Sequence, residues 1–217
     1  MSLLDLTRRN NDIYRTLREK IVFVDYEPGH ALSEAKVARN FNCSRVPVRE
    51  AFILLDAEDL ITIVPNQGTY VTEVNLEYLQ KNFLIRKNLV PLLGRLAAAN
   101  INEDQIEQIR VIVEEMKVEN DYKKLLRLDY RLHRIMHKAT KNPLLSKILD
   151  ELLGHAVRSW IVTLDERISA ELIPGNFIQL ISELEARNRN ACAEIMKEHA
   201  QSSLDSLRKL INDLEDF

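Results

Sequence analysis

The chain of 217 residues has little of what an exported, membrane-spanning or disulfide-held protein needs. Its two cysteines, Cys43 and Cys192, lie far apart and in no ligand or redox motif, so no disulfide framework is read. Two lone thiols fit a reducing compartment, and the expected location is the cytoplasm. No run of about 18 apolar residues occurs, and the first residues lack a basic-then-apolar pattern, so neither a membrane span nor an export signal is expected. Five glycines and six prolines punctuate the chain too sparsely for an all-β design, which leaves long helices. A net charge of -3 announces no nucleic-acid partner in bulk. What is plentiful is apolar sequence, 46% of the chain, enough for one large core or two modest domains.

Residues 11–24 carry Ile13, Leu17, Ile21 and Val22 on one side of an amphipathic helix, and Glu27-Pro28-Gly29-His30 turns the chain after it. Ser33 suits the N-cap of a short helix over residues 34–40 that buries Val37 and Ala38. Asn42 tolerates the left-handed backbone of a tight turn. Ser44 then caps a helix with Pro47 in its first turn, burying Val48, Ala51, Phe52, Leu54 and Leu55. Ile61-Thr62-Ile63-Val64, a turn at Pro65-Asn66-Gln67-Gly68, and Thr69-Tyr70-Val71-Thr72 read as a β-hairpin. Three helices and a hairpin make a winged helix-turn-helix, expected over residues 1–74.

The second helix of such a motif enters the major groove with its N-terminal residues on base edges. Arg45 and Arg49, one turn apart there, can fork to guanine O6 and N7 or hold phosphate. Bulk charge is no guide, since residues 1–72 hold nine basic against ten acidic side chains. Placement is more informative: Lys36, Arg39, Arg45 and Arg49 gather at the turn, while Asp56, Glu58 and Asp59 lie at the far end. An ordinary surface arginine pair remains the competing reading of the same residues.

From Leu76 onward the periodicity is helical. Leu79, Phe83, Leu89, Leu92, Leu93 and Leu96 stripe one long helix, with Pro91 a candidate bend. Asn102 caps a second helix bearing Ile106, Ile109, Val113 and Met116, and a third covers about residues 121–140. Asn142-Pro143 opens a fourth with Leu145, Ile148, Leu149, Leu152 and Trp160. Ile173-Pro174-Gly175 breaks the chain before two more, at about residues 177–188 and 190–215. The fold expected is mainly α, a winged helix-turn-helix followed by a six-helix antiparallel bundle over residues 75–217. On that bundle Asp129 and His133 stand i, i+4 and could grip one ion, or form a hydrogen-bonded pair lining a metal-free pocket. His199 shares a face with Cys192, Met196 and Leu207 and so points inward, whereas His137 reads as a surface residue.

Ser44-Arg45-Val46-Pro47-Val48-Arg49-Glu50-Ala51 resembles the signature of the GntR family of bacterial transcription regulators. Pro28-Gly29 with Leu32-Ser33-Glu34, and Gln67-Gly68-Thr69-Tyr70-Val71, match it at the right spacing over residues 9–74. The resemblance implies a DNA-binding set of Lys36, Ser44, Arg45, Arg49, Gln67, Gly68 and Thr69, with the wing tip at the minor groove. Asn42 and Asp59 stand where glycines are usual, and Phe52 where leucine is.

The second half resembles the FCD effector domain of the FadR-type subfamily, in its shorter six-helix branch. The residues concerned are Asp129-Tyr130-Arg131-Leu132-His133, Asn142-Pro143-Leu144 and Met196-Lys197-Glu198-His199. Full sites in such domains use an aspartate and three histidines for a divalent transition metal, zinc or nickel. Here Asp129, His133 and His199 match and Phe177 falls on the remaining histidine position, so the implied site is incomplete; His155 is a candidate substitute. The resemblance also implies a small organic-acid effector and places Arg86 on the cavity, with Val90 replacing a common glutamate. Arg86, Asp129, His133, Phe177 and His199 are thus the expected effector-binding set.

The expected protein is a homodimeric, ligand-responsive transcription regulator on a pseudo-palindromic operator. A metal-free, fatty-acyl-responsive regulator is the alternative that Phe177 favours. A metal-dependent enzyme on Asp129, His133 and His199 lacks a general base, nucleophile or oxyanion donor beside them, so no enzyme is expected.

Overall fold

Ile13, Leu17 and Ile21, one turn apart, lie on a single face of the first helix, α1 (Leu3–Val22), and all three are buried. The computed structural model describes residues 3–163 and 175–215, and for residues 3–10, 76, 163, 175–176 and 207–215 the backbone alone. The helix begins eight residues before the expected start, at Leu3 rather than Asn11. Two compact units follow from the packing, Met1–Val74 and Asn75–Phe217.

In the first unit, Ser33 caps α2 (Glu34–Asn40) by accepting the Lys36 amide at 3.4 Å. Asn42 then takes a left-handed φ of 47°, which an asparagine tolerates better than most residues, and the chain enters α3 (Arg45–Ala57). Pro47, Val48, Ala51, Phe52 and Leu55 bury the inner face of α3 against Ile13, Leu17, Ile21 and Val37. Leu54 does not join them: it is 47% exposed, so the expectation of burial fails there. Arg18 on α1 holds Glu58, just past α3, at 2.7 Å, and Tyr14 donates to the same carboxylate. The hairpin pairs β2 (Ile61–Val64) with β3 (Gly68–Val71), in the register Ile61 to Val71 and Val64 to Gly68. A further strand, β1 (Ala31–Leu32), pairs with β3 on its other edge. Two residues are too few to show a period, which is why the sequence did not reveal it.

The second unit holds six helices among the described residues: α4 (Leu76–Asn100), α5 (Glu103–Val118), α6 (Tyr122–Ala139), α7 (Pro143–Thr163), α8 (Gly175–Glu185) and α9 (Arg189–Glu215). Asn102 and Gln105 form a capping box at the start of α5, as its sequence demands. Leu93, Ile109, Leu132, Leu149, Leu180 and Met196 bring all six helices into one core. Leu92 and Ile148, expected inside, are 42% and 37% exposed. The break at Ile173-Pro174 and the side chain of Leu207 lie outside the described residues. No described helix is long and apolar enough to cross a membrane.

Gly94 sets the distance between α4 and α9. A Cβ built there would lie 2.5 Å from the backbone oxygen of Cys192 and 2.9 Å from the Ala193 Cα, inside any van der Waals contact. The obstacle is helix backbone and cannot swing aside, so Gly94→Ala should cost about 1–3 kcal/mol by overpacking, read from urea unfolding of the bundle.

His137 corrects the sequence reading: it is 1% exposed, with Nδ1 2.5 Å from the Asp150 carboxylate. Burial pulls its pKa from 6.5 to about 4, and Asp150 only partly opposes this. The unfolded chain therefore takes a proton near pH 6.5 that the folded chain refuses until about pH 4. This contribution to stability is complete above that range and is lost as the pH falls through it. The thermal midpoint should drop between pH 7 and 4.5, with a shallower slope in His137→Gln, which has no proton to gain.

Candidate DNA-reading face and effector cavity

With one side of α3 committed to the core, Arg45 and Arg49 are left on the outer side, both exposed. Arg49 donates through Nε to both Glu34 oxygens, at 3.0 and 2.9 Å, so α2 steadies the guanidinium while its two terminal nitrogens make no hydrogen bond among the described residues. Ser44 occupies the N-cap but its side chain makes no cap hydrogen bond, leaving the hydroxyl for another acceptor or donor. Lys36, on α2, is exposed as well. At the wing tip Gly68 has φ 141°, and a Cβ there would meet the Tyr70 ring at 3.3 Å. Tyr70 in turn donates to the Gln67 carbonyl at 3.1 Å, which braces the tip. Gln67 and Gly68 are exposed, as expected. Thr69 falls on the inner side of β3, 8% exposed.

Inside the bundle α6 presents Asp129 and His133, α9 brings His199, α8 brings Phe177 and α4 brings Arg86. One nitrogen or oxygen from each of Asp129, His133 and His199 falls within 4.8 Å of the others. The His133 Nδ1 lies 3.0 Å from the Asp129 carbonyl oxygen, which can only accept, so Nδ1 carries the proton and a neutral ring has its lone pair on Nε2. The same nitrogen is 3.4 Å from Asp129 Oδ1, a charge contact rather than a second hydrogen bond. His133 Nε2 and Asp129 Oδ1 are both buried without a hydrogen-bond partner among the described residues. Such atoms are costly unless something supplies a contact, and a divalent ion or a ligand proton would do so. Two imidazoles and a carboxylate suit a transition metal, with the His133 backbone contact in the supporting role that metal-site histidines need.

Phe177 stands against this group, 1% exposed, its ring 5.0 Å from that of His199 and 6.1 Å from that of His133. Among the described residues the ligand group gains no further donor beside Phe177. His155 does not replace it, since its ring tilts against Tyr78 at 4.9 Å and it lies outside the ligand group.

The electrostatics favour a charged Asp129 beside a neutral His199. Burial would raise the Asp129 pKa, but His133, His199 and Arg86 together outweigh it and hold the carboxyl below its ordinary range. Burial takes His199 down to about 4, helped by His133 and Arg86 and opposed by Asp129. Arg86, 7% exposed, is brought to about 10 by burial, with Asp129 pulling it back up, and it remains a cation at neutral pH. Sequence reasoning missed Tyr122. Its hydroxyl is buried without a partner, and burial followed by the Asp129 charge pushes its pKa up. Its position seven residues before Asp129, two turns along the same helical face, was the signal available.

The chain matches the description "Bacterial regulatory proteins, gntR family" over residues 9–71 and "FCD domain" over residues 83–202. It is 29% identical over 211 residues to the HTH-type transcriptional repressor RspR of Escherichia coli (strain K12), covering 96% of this chain and 92% of that one. In fold it resembles E. coli McbR/YncC, with a TM-score of 0.79, 19% identity and coverage of 93% and 97%. A GntR regulator from Rhodococcus sp. RHA1 superposes with a TM-score of 0.74 at 18% identity, covering 94% of this chain and 98% of that one. Two matched domains in this order, on a winged head and a helical bundle, place the chain in the GntR family of bacterial transcription regulators, in the FadR-type branch that carries an FCD domain.

Proposed function

We propose that this DNA-binding regulator is a homodimer, working in the cytoplasm, whose bundle takes a small organic acid and so alters its hold on a pseudo-palindromic operator. The observation that carries the effector reading is the pair of buried, unpartnered atoms on Asp129 and His133 within the electrostatic reach of buried Arg86. A buried guanidinium is a ready partner for a carboxylate. A divalent metal held by Asp129, His133 and His199 would supply Lewis acidity to anchor that acid. Arg86 would orient it and Phe177 would shut water out on one side. The second reading, a metal-free pocket whose histidines bond the ligand directly, draws on Phe177 alone. Leu84, Ile85 and Leu92 form an exposed apolar strip on α4 that suits a self-contact. Effector binding would act by population shift, favouring one arrangement of the paired heads over another.

Arg45 and Arg49 carry base reading in this proposal, Lys36 and Ser44 hold phosphates, and Gln67 with Gly68 brings the wing tip to the minor groove. Arg45→Ala and Arg49→Ala should each cost about 1–3 kcal/mol on an operator selected from random duplexes, with steep salt dependence in the parent. Unchanged binding by both variants would remove α3 from the interface.

Native mass spectrometry of the full chain, with and without chelator, should show a dimer carrying less than one metal per chain. Elemental analysis of Phe177→His should show occupancy rising close to one, since the ring already faces both histidines. Full occupancy in the parent would overturn the role given to Phe177, and metal in neither protein would favour the metal-free pocket.

A further inference from the structure

Val46 has no structural reason to be valine. It is the second residue of α3 and 61% exposed, while Pro47, Val48, Ala51 and Phe52 around it are buried. At about 100° per residue it lies nearly opposite the buried face, about 60° around the helix from Arg49 and about 100° from Arg45. It packs into no core, and a β-branched residue weakens a helix slightly rather than favouring it. Isolated apolar residues are common on surfaces. This one sits beside two exposed guanidiniums on the outer side of α3, on the stretch of a recognition helix that meets base edges.

The major-groove edge of DNA offers one apolar feature, the C5 methyl of thymine. An isopropyl group carries no donor or acceptor, so against guanine, cytosine or adenine it would cover polar edge atoms without pairing them. Against thymine it covers a methyl. We propose that Val46 is a specificity-determining residue that reads a thymine methyl beside the bases read by Arg45 and Arg49; this rests on the placement of α3 in the major groove given above. Ile53 shares the outer face and is 62% exposed, but it lies about 10 Å further along the helix, beyond the end that enters the groove.

The test uses the full chain and the duplex it selects from a random pool. Each thymine of the two half-sites is replaced in turn by deoxyuridine, which keeps every hydrogen bond and removes only the methyl. At one symmetry-related position the parent should lose about fourfold in affinity per half-site, the factor expected for one methyl-sized group. Val46→Ser should bind the thymine and uracil duplexes alike, at the parent's uracil level, and Ile53→Ala should keep the parent's discrimination. A parent indifferent to uracil everywhere, or a Val46→Ser protein still sensitive to it, overturns the assignment. If Arg45→Ala and Arg49→Ala also bind like the parent, the placement of α3 fails as well, which separates the two failures.

Discussion

The close approach of α4 to α9 at Gly94 is the constraint on which the grouping of Arg86, Asp129 and His199 depends. With no Cβ at that position, the backbone of Cys192 can lie against α4. Eight residues earlier on α4 stands Arg86, and seven residues later on α9 stands His199, each about 10–12 Å from the crossing. The Arg86 charge reaches His199, as its contribution to the low His199 pKa shows. A wider crossing would separate that pair and leave the guanidinium in water, where it could not offset the buried Asp129. The smallest residue in the bundle thereby fixes the spacing of its most polar ones.

In the head the governing fact is where charge sits, not how much there is. Nine basic against ten acidic side chains over residues 1–72 would describe a protein with no affinity for phosphate. Folding sorts them: Glu58 is drawn to Arg18 on α1, and Glu34 is engaged with Arg49 Nε. These carboxylates are spent on holding helices and aiming a guanidinium. The Arg18–Glu58 pair, with both side chains about one-tenth exposed, ties the end of α3 to α1, whereas the exposed Glu34–Arg49 pair contributes orientation more than stability.

Much of this was legible because two periods are hard to mistake. The 3.6-residue stripe gave the bundle helices, and β-branched runs around Pro65-Asn66-Gln67-Gly68 gave the hairpin. Left-handed backbone at Asn42 and Asp59, φ 47° and 55°, shows why glycine is usual there and why these two residues can replace it. The sites that eluded sequence reasoning are those set by tertiary neighbours. His137 looked like surface because its Asp150 partner is on another helix. Leu54 and Leu92 looked like core because a stripe's edge cannot be located to one residue without knowing what packs beside it. Thr69 lies on β3, the central strand of the three, and its alternation alone does not say which face of the sheet is inward. The nearness of Phe177 to His133 and His199 was visible only through the resemblance, since no local pattern marks a phenylalanine as standing in for a ligand.

Charge balance around Asp129 constrains how the proposed acid could bind there. Asp129 is held ionised and Arg86 is its fixed cation, while His199 stays neutral down to about pH 4. A second carboxylate entering beside Asp129 would leave two anions facing one guanidinium in a region where charge is poorly screened. Either a divalent ion accompanies it, or a histidine takes up a proton on binding. The first route needs Asp129, His133 and His199 to converge as they do, within 4.8 Å. The second needs His199 to be lifted from its depressed pKa by the new anion, as a neighbouring negative charge does. In the proposed site Phe177 would weaken the first route by withholding a ligand and leave the second untouched, so this one side chain would set the balance between metal and proton as the acid's companion.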